Sequence, residues 1–188
     1  MPSSIKLLRR GLLMLCLPLC PAIGQAGDYA ARIEYADLAY IDNGYTVEAH
    51  IDYRLSPMAK EALHKGVPLA WNVSLELRQP GWLWDSVIYQ RKLAYSLQFH
   101  ALLNQYAVQT PSAHSEMFLT LSAALNFMAS VHDSSPIPAD LLQPGKPYLL
   151  AVQTQFNREF LPIPLRPLAY LDHRWFLSST WQTWPIQK

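Results

Sequence analysis

Cysteine is almost missing from this chain, and its two copies are confined to the amino-terminal segment. Among 188 residues the cysteines are Cys16 and Cys20. The part of the chain after Cys20 therefore contains no disulfide bond, no thiolate metal ligand and no thiol nucleophile. Disulfide-rich scaffolds, cysteine-based zinc sites and cysteine hydrolases are excluded as descriptions of the folded part.

Glycine and net charge are also scarce. Seven glycines in the whole chain leave no glycine-rich loop of the kind that holds nucleotide phosphates. The formal net charge is only +1, from 15 basic and 14 acidic residues. No basic run creates the electric field on which nucleic-acid binding depends. We therefore expect no nucleic-acid partner and no cofactor.

The first 26 residues have the pattern of a secretory signal peptide. A basic n-region lies within residues 1–10, an apolar stretch covers 11–20, and small residues occupy 24 and 26. The apolar stretch is shorter than the roughly 20 residues that a membrane-spanning helix needs. We predict Sec export to the periplasm, cleavage after Ala26 and no stable membrane span afterwards. An uncleaved inner-membrane anchor is the alternative.

Residues 27–188 suit a single domain with a hydrophobic core. Apolar residues make up 51% of the chain and charged residues only 15%, so burial can offset the ordering entropy of the backbone. No repeat, low-complexity tract or flexible linker divides this segment. Without the three basic residues of the signal peptide, its formal net charge is −2.

Alternation of apolar and polar residues predicts an antiparallel β protein. Residues 45–55 alternate without a break after the turn at 42–44, which predicts a hairpin with a strand at 32–41. The side chains expected on the inner face of that first strand are Ile33, Tyr35, Ala39 and Ile41. Further strands are predicted from position 69, from 82 to 100 with a bend or bulge near Arg91, at 105–110 and at 147–156.

Two helices are indicated by their capping residues. Ser56 as N-cap and Gly66 beyond the last turn frame a connecting helix at 57–65. Thr120 caps an amphipathic helix that should lie on the sheet. Its apolar residues at helical spacing are Leu121, Ala124, Leu125 and Met128.

The expected fold is therefore mainly β. We predict an antiparallel β-sandwich, Ig-like or built from a strongly curved sheet, with one amphipathic covering helix and short connecting helices. An eight-stranded ligand barrel is the neighbouring alternative.

The carboxyl-terminal stretch 161–184 combines prolines, one central arginine and aromatic rings. Its prolines remove backbone donors and favour extended neighbours, so we expect a polyproline-like crossing rather than a helix. Arg166 should bind carbonyl groups of this crossing or stack on a ring, with recognition of a carboxylate or phosphate as the alternative. A closing β-strand should follow, with one face formed by Trp175, Leu177, Ser179 and Trp181.

Tryptophans supply the candidate interaction surface. Trp82 and Trp84 follow a Pro-Gly turn, and residues two apart in a strand project from the same side. Burial on the core is the commoner fate of such rings, and exposure as anchors for a partner is the alternative. An exposed contact surface, if present, is expected at these two residues and at Trp181 and Trp184.

The six histidines are the side chains best suited to metal or general-base chemistry near neutral pH. They show no His-x-His or His-Glu-x-x-His spacing. His50, with Glu48 and Asp52 on the polar side of a strand, is more typical of a solvated face than of a cation site. No Gly-x-Ser-x-Gly elbow is present. We therefore name no catalytic or metal residue and expect no enzyme.

Three groups of residues give the chain a family resemblance. They are the run 95–106, the apolar positions within 118–125, and above all 161–171 followed by Trp175, Ser178, Ser179, Trp181 and Trp184. In these motifs the chain resembles a proteobacterial periplasmic family described as domain of unknown function 4390. The resemblance covers nearly all of 27–188 and implies export, one compact domain and no assigned activity.

The resemblance also implies a partner in the cell envelope, because genes of this family often stand beside a membrane sensor kinase. We expect a non-enzymatic binding or protein-interaction module that acts through a sheet edge or an aromatic patch. A small-ligand or lipid carrier with an apolar cavity is the second hypothesis. A metal-dependent or hydrolytic enzyme built from dispersed residues is the third.

Overall fold

A computed structural model describes residues 29–41, 44–132 and 135–186, and the predicted signal peptide lies outside them. The strands of the described part are β1 Ala31–Ile41, β2 Gly44–Tyr53, β3 Leu69–Gln79, β4 Ser86–His100, β5 Gln105–Gln109, β6 Ser115–Phe118, β7 Ser130–His132, β8 Ile137–Pro138, β9 Tyr148–Phe156 and β10 Gln182–Ile186. The α-helices are α1 Pro57–His64, α2 Leu121–Ala129 and α3 Arg166–Leu171. Short 3₁₀ turns cover Ala139–Leu141, Arg158–Phe160, Ile163–Leu165 and His173–Trp175.

These strands form two antiparallel sheets with the core between them. In the smaller sheet β2 pairs with β1 on one edge and with the short strands β7 and β8 along the other. The larger sheet has the order β10-β9-β3-β4-β5-β6. The predicted mainly β sandwich with short helices is confirmed.

Aromatic rings join the two sheets at the centre of the core. Trp71 of β3 is buried, and its ring centroid lies 5.4 Å from that of Tyr53 in the smaller sheet and 5.3 Å from that of Phe156 in β9. The Trp71 indole N–H donates a hydrogen bond of 3.1 Å to the carbonyl of Leu177. Buried Trp175 stacks on Phe156 at 5.9 Å. One side chain thus connects both sheets and the carboxyl-terminal segment.

The first hairpin forms as predicted, but the inner face of β1 changes along its length. The inward residues of β2 are buried at the expected alternate positions. In β1 the register to β2 shifts between Ile33 and Tyr35, so Glu34 has no register partner in β2. After this shift the next side chain that points into the core is that of Ala36. Such a β-bulge moves the alternation by one residue. The residues expected beside Ile33 therefore lie on the opposite face: Tyr35, Ala39 and Ile41.

Strand β4 starts later than predicted and bulges at another residue. It begins at Ser86 rather than at Trp82, and the register shift relative to β3 falls at Ile88, not at Arg91. Arg91 keeps its place on the inner face because its guanidinium reaches the rim of the sandwich. There it donates to the carbonyl and hydroxyl oxygens of Ser135 at 3.3 and 2.8 Å.

The two predicted helices are confirmed together with their caps. The hydroxyl of Ser56 accepts a hydrogen bond from the backbone N–H of Ala59, and that of Thr120 accepts one from Ala123. Gly66 follows α1 with φ of +83°, a conformation that favours glycine. Helix α2 packs against β2 and β5, so it covers one side of the sandwich. No helix within residues 29–41, 44–132 and 135–186 is long and apolar enough to cross a membrane.

The carboxyl-terminal stretch departs most from the prediction. Residues 158–175 form 3₁₀ turns and α3 instead of an extended crossing. Pro164 and Pro167 occupy the first turns of helical segments, where the missing N–H removes no intrahelical bond. The closing strand is β10, which starts at Gln182 and is shorter than expected; its Pro185 lacks a backbone donor.

Residues 177–181 run beside β9 without forming a strand. The hydroxyl of Ser178 accepts a hydrogen bond from Phe156 N–H, and that of Ser179 accepts one from Thr154 N–H, both at 2.9 Å. These hydroxyls take the place of the carbonyls that a neighbouring strand would offer. Trp175 and Leu177 are buried, but Trp175 lies in a 3₁₀ turn and residues 177–181 form no strand, so the predicted strand face of Trp175, Leu177, Ser179 and Trp181 is wrong.

Replacing two buried hydroxyls tests the packing between the sheets. Tyr53 Oη and Thr154 Oγ1 are buried close to each other but without a hydrogen bond of regular geometry, and desolvation by burial raises the pKa of the Tyr53 phenol well above its usual range, a shift that the nearby Thr154 hydroxyl partly opposes. Since unpaired buried hydroxyls add no stability, the double variant Tyr53→Phe/Thr154→Val should unfold at the wild-type temperature or above it.

Thermal and urea unfolding measure this effect, with Leu75→Ala as the comparison. Leu75 is fully buried, so its truncation should lower the free energy of unfolding by about 2–5 kcal/mol. A loss of more than about 1 kcal/mol in the double variant would show that the two hydroxyls are bonded in solution.

Candidate functional site

The loop between β3 and β4 presents the most exposed aromatic side chains of the described residues. Trp82, Leu83 and Trp84 are 95%, 69% and 75% exposed. We call these three residues the tryptophan tip. The expectation that their rings project from a strand end is wrong, because β4 begins only at Ser86, and burial on the core does not occur.

Gly81 gives the tryptophan tip a compact backbone. A Cβ atom at this position would overlap the carbonyl oxygen of Trp84. Only glycine therefore allows the loop to fold back this closely on itself. Since the long paired strands β3 and β4 lead into the loop, it stands on a rigid base at one end of the larger sheet.

Charges are sparse in the sequence on either side of the tip. Between Gln79 and Gln90 the only charged residue is Asp85. The tip is therefore an apolar surface with one neighbouring carboxylate and no adjoining basic residue in the sequence.

The other two predicted tryptophans have contacts within the fold. The guanidinium of Arg78 lies 4.7 Å from the ring centroid of Trp181, and Arg78 also pairs with the buried carboxylate of Glu76 at 2.7 Å. Trp184 packs on the core. Both rings are half-buried. The structure thus brings Trp82 and Trp84 together in one exposed tip. It places Trp181 against Arg78 and Trp184 against the core.

Arg166 makes contacts within its own segment. Its Nε donates to the carbonyl of Leu161 at 2.9 Å, and its Nη1 lies 3.2 Å from Glu159 Oε2. The carbonyl contact is the structural role expected of an arginine beside prolines. The Arg166 guanidinium therefore has two partners within the protein, the Leu161 carbonyl and the Glu159 carboxylate.

Arg158 is the arginine that sequence reasoning did not single out. Its guanidinium carbon lies 5.0 Å from the ring centroid of Tyr170 and 5.0 Å from that of Phe176. Its Nε is buried and has no hydrogen-bond partner, and no ion pair to it exists among the described residues. The two rings reach Arg158 because α3 turns the chain back toward the sheet, and the predicted extended crossing excluded such a return.

Arg158 borders a polar groove on the outer face of the larger sheet. Two adjoining cavities of about 360 and 350 Å³ share Asn72 and Asn157 in their linings. We call them together the amide groove. Other polar side chains that line it are Lys92, Gln109, Gln153 and Gln155. Asn72 of β3 and Gln155 of β9 are register partners, so their side chains stand next to each other.

A larger opening of about 720 Å³ lies at the side of the sandwich, beside β4 and α2. Leu93, Tyr95 and Phe127 form apolar parts of its wall, and Arg91 and His114 contribute polar groups. The residues around Trp71 between the sheets are closely packed, so the opening lies at the rim and not in the centre of the core.

The histidines lie in different parts of the structure. Four of them have separate partners, which are Tyr106 for His64, Glu116 for His114, Glu34 for His50 and Asp172 for His173. No three His, Cys, Asp or Glu side chains come together to hold a metal ion anywhere in the described ranges. The side chain of His132 lies outside the described part. The absence of enzymatic activity stays a prediction.

Asp172 holds the turn that carries Phe176 toward Arg158. Its Oδ1 accepts a hydrogen bond of 2.9 Å from the backbone N–H of Arg174, and its Oδ2 lies 2.6 Å from the Arg174 guanidinium. The side-chain and backbone hydrogen bonds from Arg174 lower the pKa of Asp172 to about 2.

The variant Asp172→Asn tests this turn through its pH dependence. Because the folded-state pKa lies below the unfolded-state value, the carboxylate stabilises the fold fully above about pH 4 and loses this effect as the pH falls toward about 2. The stability difference between wild type and variant in urea unfolding should therefore be constant near neutral pH and shrink in acid. A difference of equal size at both ends of this range would contradict the role of the carboxylate.

Comparison with known proteins identifies a family but no relative of established activity. No curated protein and no solved structure matches this chain. The family described as a domain of unknown function, DUF4390, matches residues 29–185. The match includes both sheets, the tryptophan tip and the amide groove, and it confirms the family resemblance seen in the motifs. The chain therefore belongs to the DUF4390 family of domains of unknown function.

Proposed function

We propose that this protein is a non-enzymatic binding domain of the cell envelope and docks on a protein partner through the tryptophan tip. The observation that carries the proposal is the exposure of three consecutive large apolar side chains, at 95%, 69% and 75%. Single exposed apolar side chains are common, but contiguous exposed apolar patches mark interaction sites. Tryptophan is also the residue most enriched among those that dominate binding energy at protein interfaces.

The backbone of the tip supports binding by a preformed surface. Gly81 lets the loop fold against the Trp84 carbonyl, and the strands β3 and β4 fix both of its ends. A loop that is already ordered loses less conformational entropy on association. The two rings can therefore enter pockets of a partner without prior folding of the loop.

The local charge favours a protein over a lipid surface as the partner. Loops that bind anionic membranes combine aromatic rings with basic residues. Around the tip, Asp85 adds a negative charge, and residues 79–90 contain no lysine or arginine. A protein pocket that accepts indole rings does not need such cations.

The edges of the larger sheet offer less to a partner than the tip does, and the outer strand β1 of the smaller sheet is interrupted by its bulge at Glu34. The outer strands of the larger sheet are β6, with four residues, and β10, in which Pro185 has no N–H to donate. Strand addition depends on a continuous row of free backbone groups. The sequence predicted binding through a sheet edge or through an aromatic patch. The aromatic patch is therefore the better supported of these two modes of binding.

The predicted export and the family resemblance support a partner in the cell envelope. The basic n-region and apolar stretch of residues 1–26 favour passage to the periplasm. A membrane sensor kinase is the candidate partner, since genes of this family often stand beside a gene for such a kinase.

A small-ligand carrier is the second candidate function, and the 720 Å³ opening beside β4 and α2 favours it. Its volume falls within the range of ligand pockets, and its wall mixes apolar and polar side chains. A carrier would retain a small molecule or lipid through purification, and Phe127→Arg in the wall would release it.

The test of the docking proposal is a comparison of three variants in exporting cells. The double variant Trp82→Ala/Trp84→Ala should abolish capture of one dominant envelope protein after crosslinking and mass spectrometry, because each ring removed costs about 2 kcal/mol or more at an interface centre. Gly81→Ala should weaken the same capture because the tip cannot keep its backbone. Leu102→Ala/Leu103→Ala, at another exposed turn, is the matched control and should leave capture unchanged.

Equal loss in the tip variant and the leucine control would contradict a specific role of the tip. Co-purification of lipid instead of protein, sensitive to Phe127→Arg, would favour the carrier. The tryptophan and leucine double variants should keep the wild-type unfolding temperature, since these tip and turn side chains are exposed.

The signal peptide has its own direct measurement. Intact-mass analysis of the exported protein should give a chain that begins at Gly27, because cleavage is expected after Ala26. Ala26→Arg should block processing and leave the protein at full length. A mature chain that keeps residues 1–26 would instead indicate the membrane anchor.

A further inference from the structure

We propose that the amide groove binds a peptide-like carboxylate and that Arg158 holds the carboxylate group. This site is independent of the tryptophan tip, which lies at the opposite end of β3. The ligand class is a carboxylic acid with neighbouring amide groups, as at the end of a peptide chain.

The positive charge of Arg158 is fixed in place and unpaired in the described structure. The rings of Tyr170 and Phe176, each 5.0 Å from its guanidinium carbon, restrict its movement. A guanidinium held against rings keeps its edge N–H groups available for a planar carboxylate. Because it is already oriented, little side-chain entropy is lost when an anion binds.

The neighbouring carboxylate does not cancel this charge. Glu159 also lines the groove, but its Oε1 accepts the hydroxyl of Tyr170 at 2.6 Å and its Oε2 pairs with Arg166 at 3.2 Å. Arg166 and Glu159 therefore balance each other. In its own cavity Arg158 contributes one excess positive charge, which suits one carboxylate better than a doubly charged phosphate, while Lys92 lies in the adjoining cavity.

Amide side chains next to Arg158 provide the second element of recognition. The side chains of Asn72, Gln155 and Asn157 make no hydrogen bond within the described residues. Each offers both donor and acceptor groups, as a peptide bond does. Asn72 is half-buried, so a ligand that pairs with it replaces water at a partly enclosed position.

The dimensions of the groove fit a short peptide segment. Two cavities of about 360 and 350 Å³ meet at Asn72 and Asn157, and Arg158 belongs to the second. A carboxylate at Arg158 therefore leaves the first cavity for the preceding residues of the ligand. Lys92 in that cavity can meet a further carbonyl or acidic group.

The experiment is an NMR titration of the full exported chain with two probes. They are N-acetyl-alanyl-alanine and the same dipeptide with a carboxyl-terminal amide. The free acid should shift the side-chain amide signals of Asn72 and Gln155, and the amidated probe should bind about tenfold more weakly or worse, because it lacks the charge that Arg158 recognises. This comparison needs no variant and so does not depend on folding of a mutant.

Variants then assign the effect to residues. Arg158→Gln should weaken binding of the free acid about tenfold or more, and Asn72→Ala should weaken both probes. Arg32→Gln removes the same charge from β1 in the other sheet and should leave the dissociation constant unchanged. If Arg158→Gln fails to fold, Asn72→Ala and the pair of probes still decide the outcome.

Four results would overturn the proposal. Three of them are equal binding of the acid and the amide, unchanged binding in Arg158→Gln, and signal shifts confined to other regions. Inorganic phosphate serves as the third probe; tighter binding of phosphate than of the dipeptide would also refute the peptide-like class. None of these results depends on capture of a partner by the tryptophan tip, so the two proposals fail separately.

Discussion

The hydrogen bond from the Trp71 indole to the Leu177 carbonyl is the contact on which most of the molecule depends. The same ring packs on Tyr53 and Phe156, so it joins both sheets and anchors the segment that follows β9. That anchored segment carries Tyr170 and Phe176 to Arg158. The amide groove is thus a product of core packing, although it lies on the outer face of the sheet.

Local signals in the sequence predicted the secondary structure correctly where it depends on contacts between residues that are near in the sequence. The alternation of β2, the caps Ser56 and Thr120, and the glycine after α1 each express a short-range rule, and the structure follows them. The bulge at Glu34 and the short strands β7 and β8 were missed because they depend on pairing with distant strands. Two or three residues are too few to show alternation.

The prolines of the carboxyl-terminal stretch were misinterpreted for a physical reason. Proline disfavours the interior of a helix, yet in the first turn its missing N–H has no partner to lose. Pro164 and Pro167 occupy that position. The sequence therefore identified Trp82 and Trp84 by their local context but not Arg158, whose surroundings depend on the course of the chain through α3.

The outer strands of the larger sheet, one short and one containing proline, also affect how readily copies of the chain associate at high concentration. Neither β6 nor β10 presents the long, uninterrupted row of backbone groups that recruits a further chain. Stacking of copies into cross-β fibrils is thereby disfavoured at these positions. A protein with an exposed apolar tip is in this way protected from strand-to-strand association at these two edges.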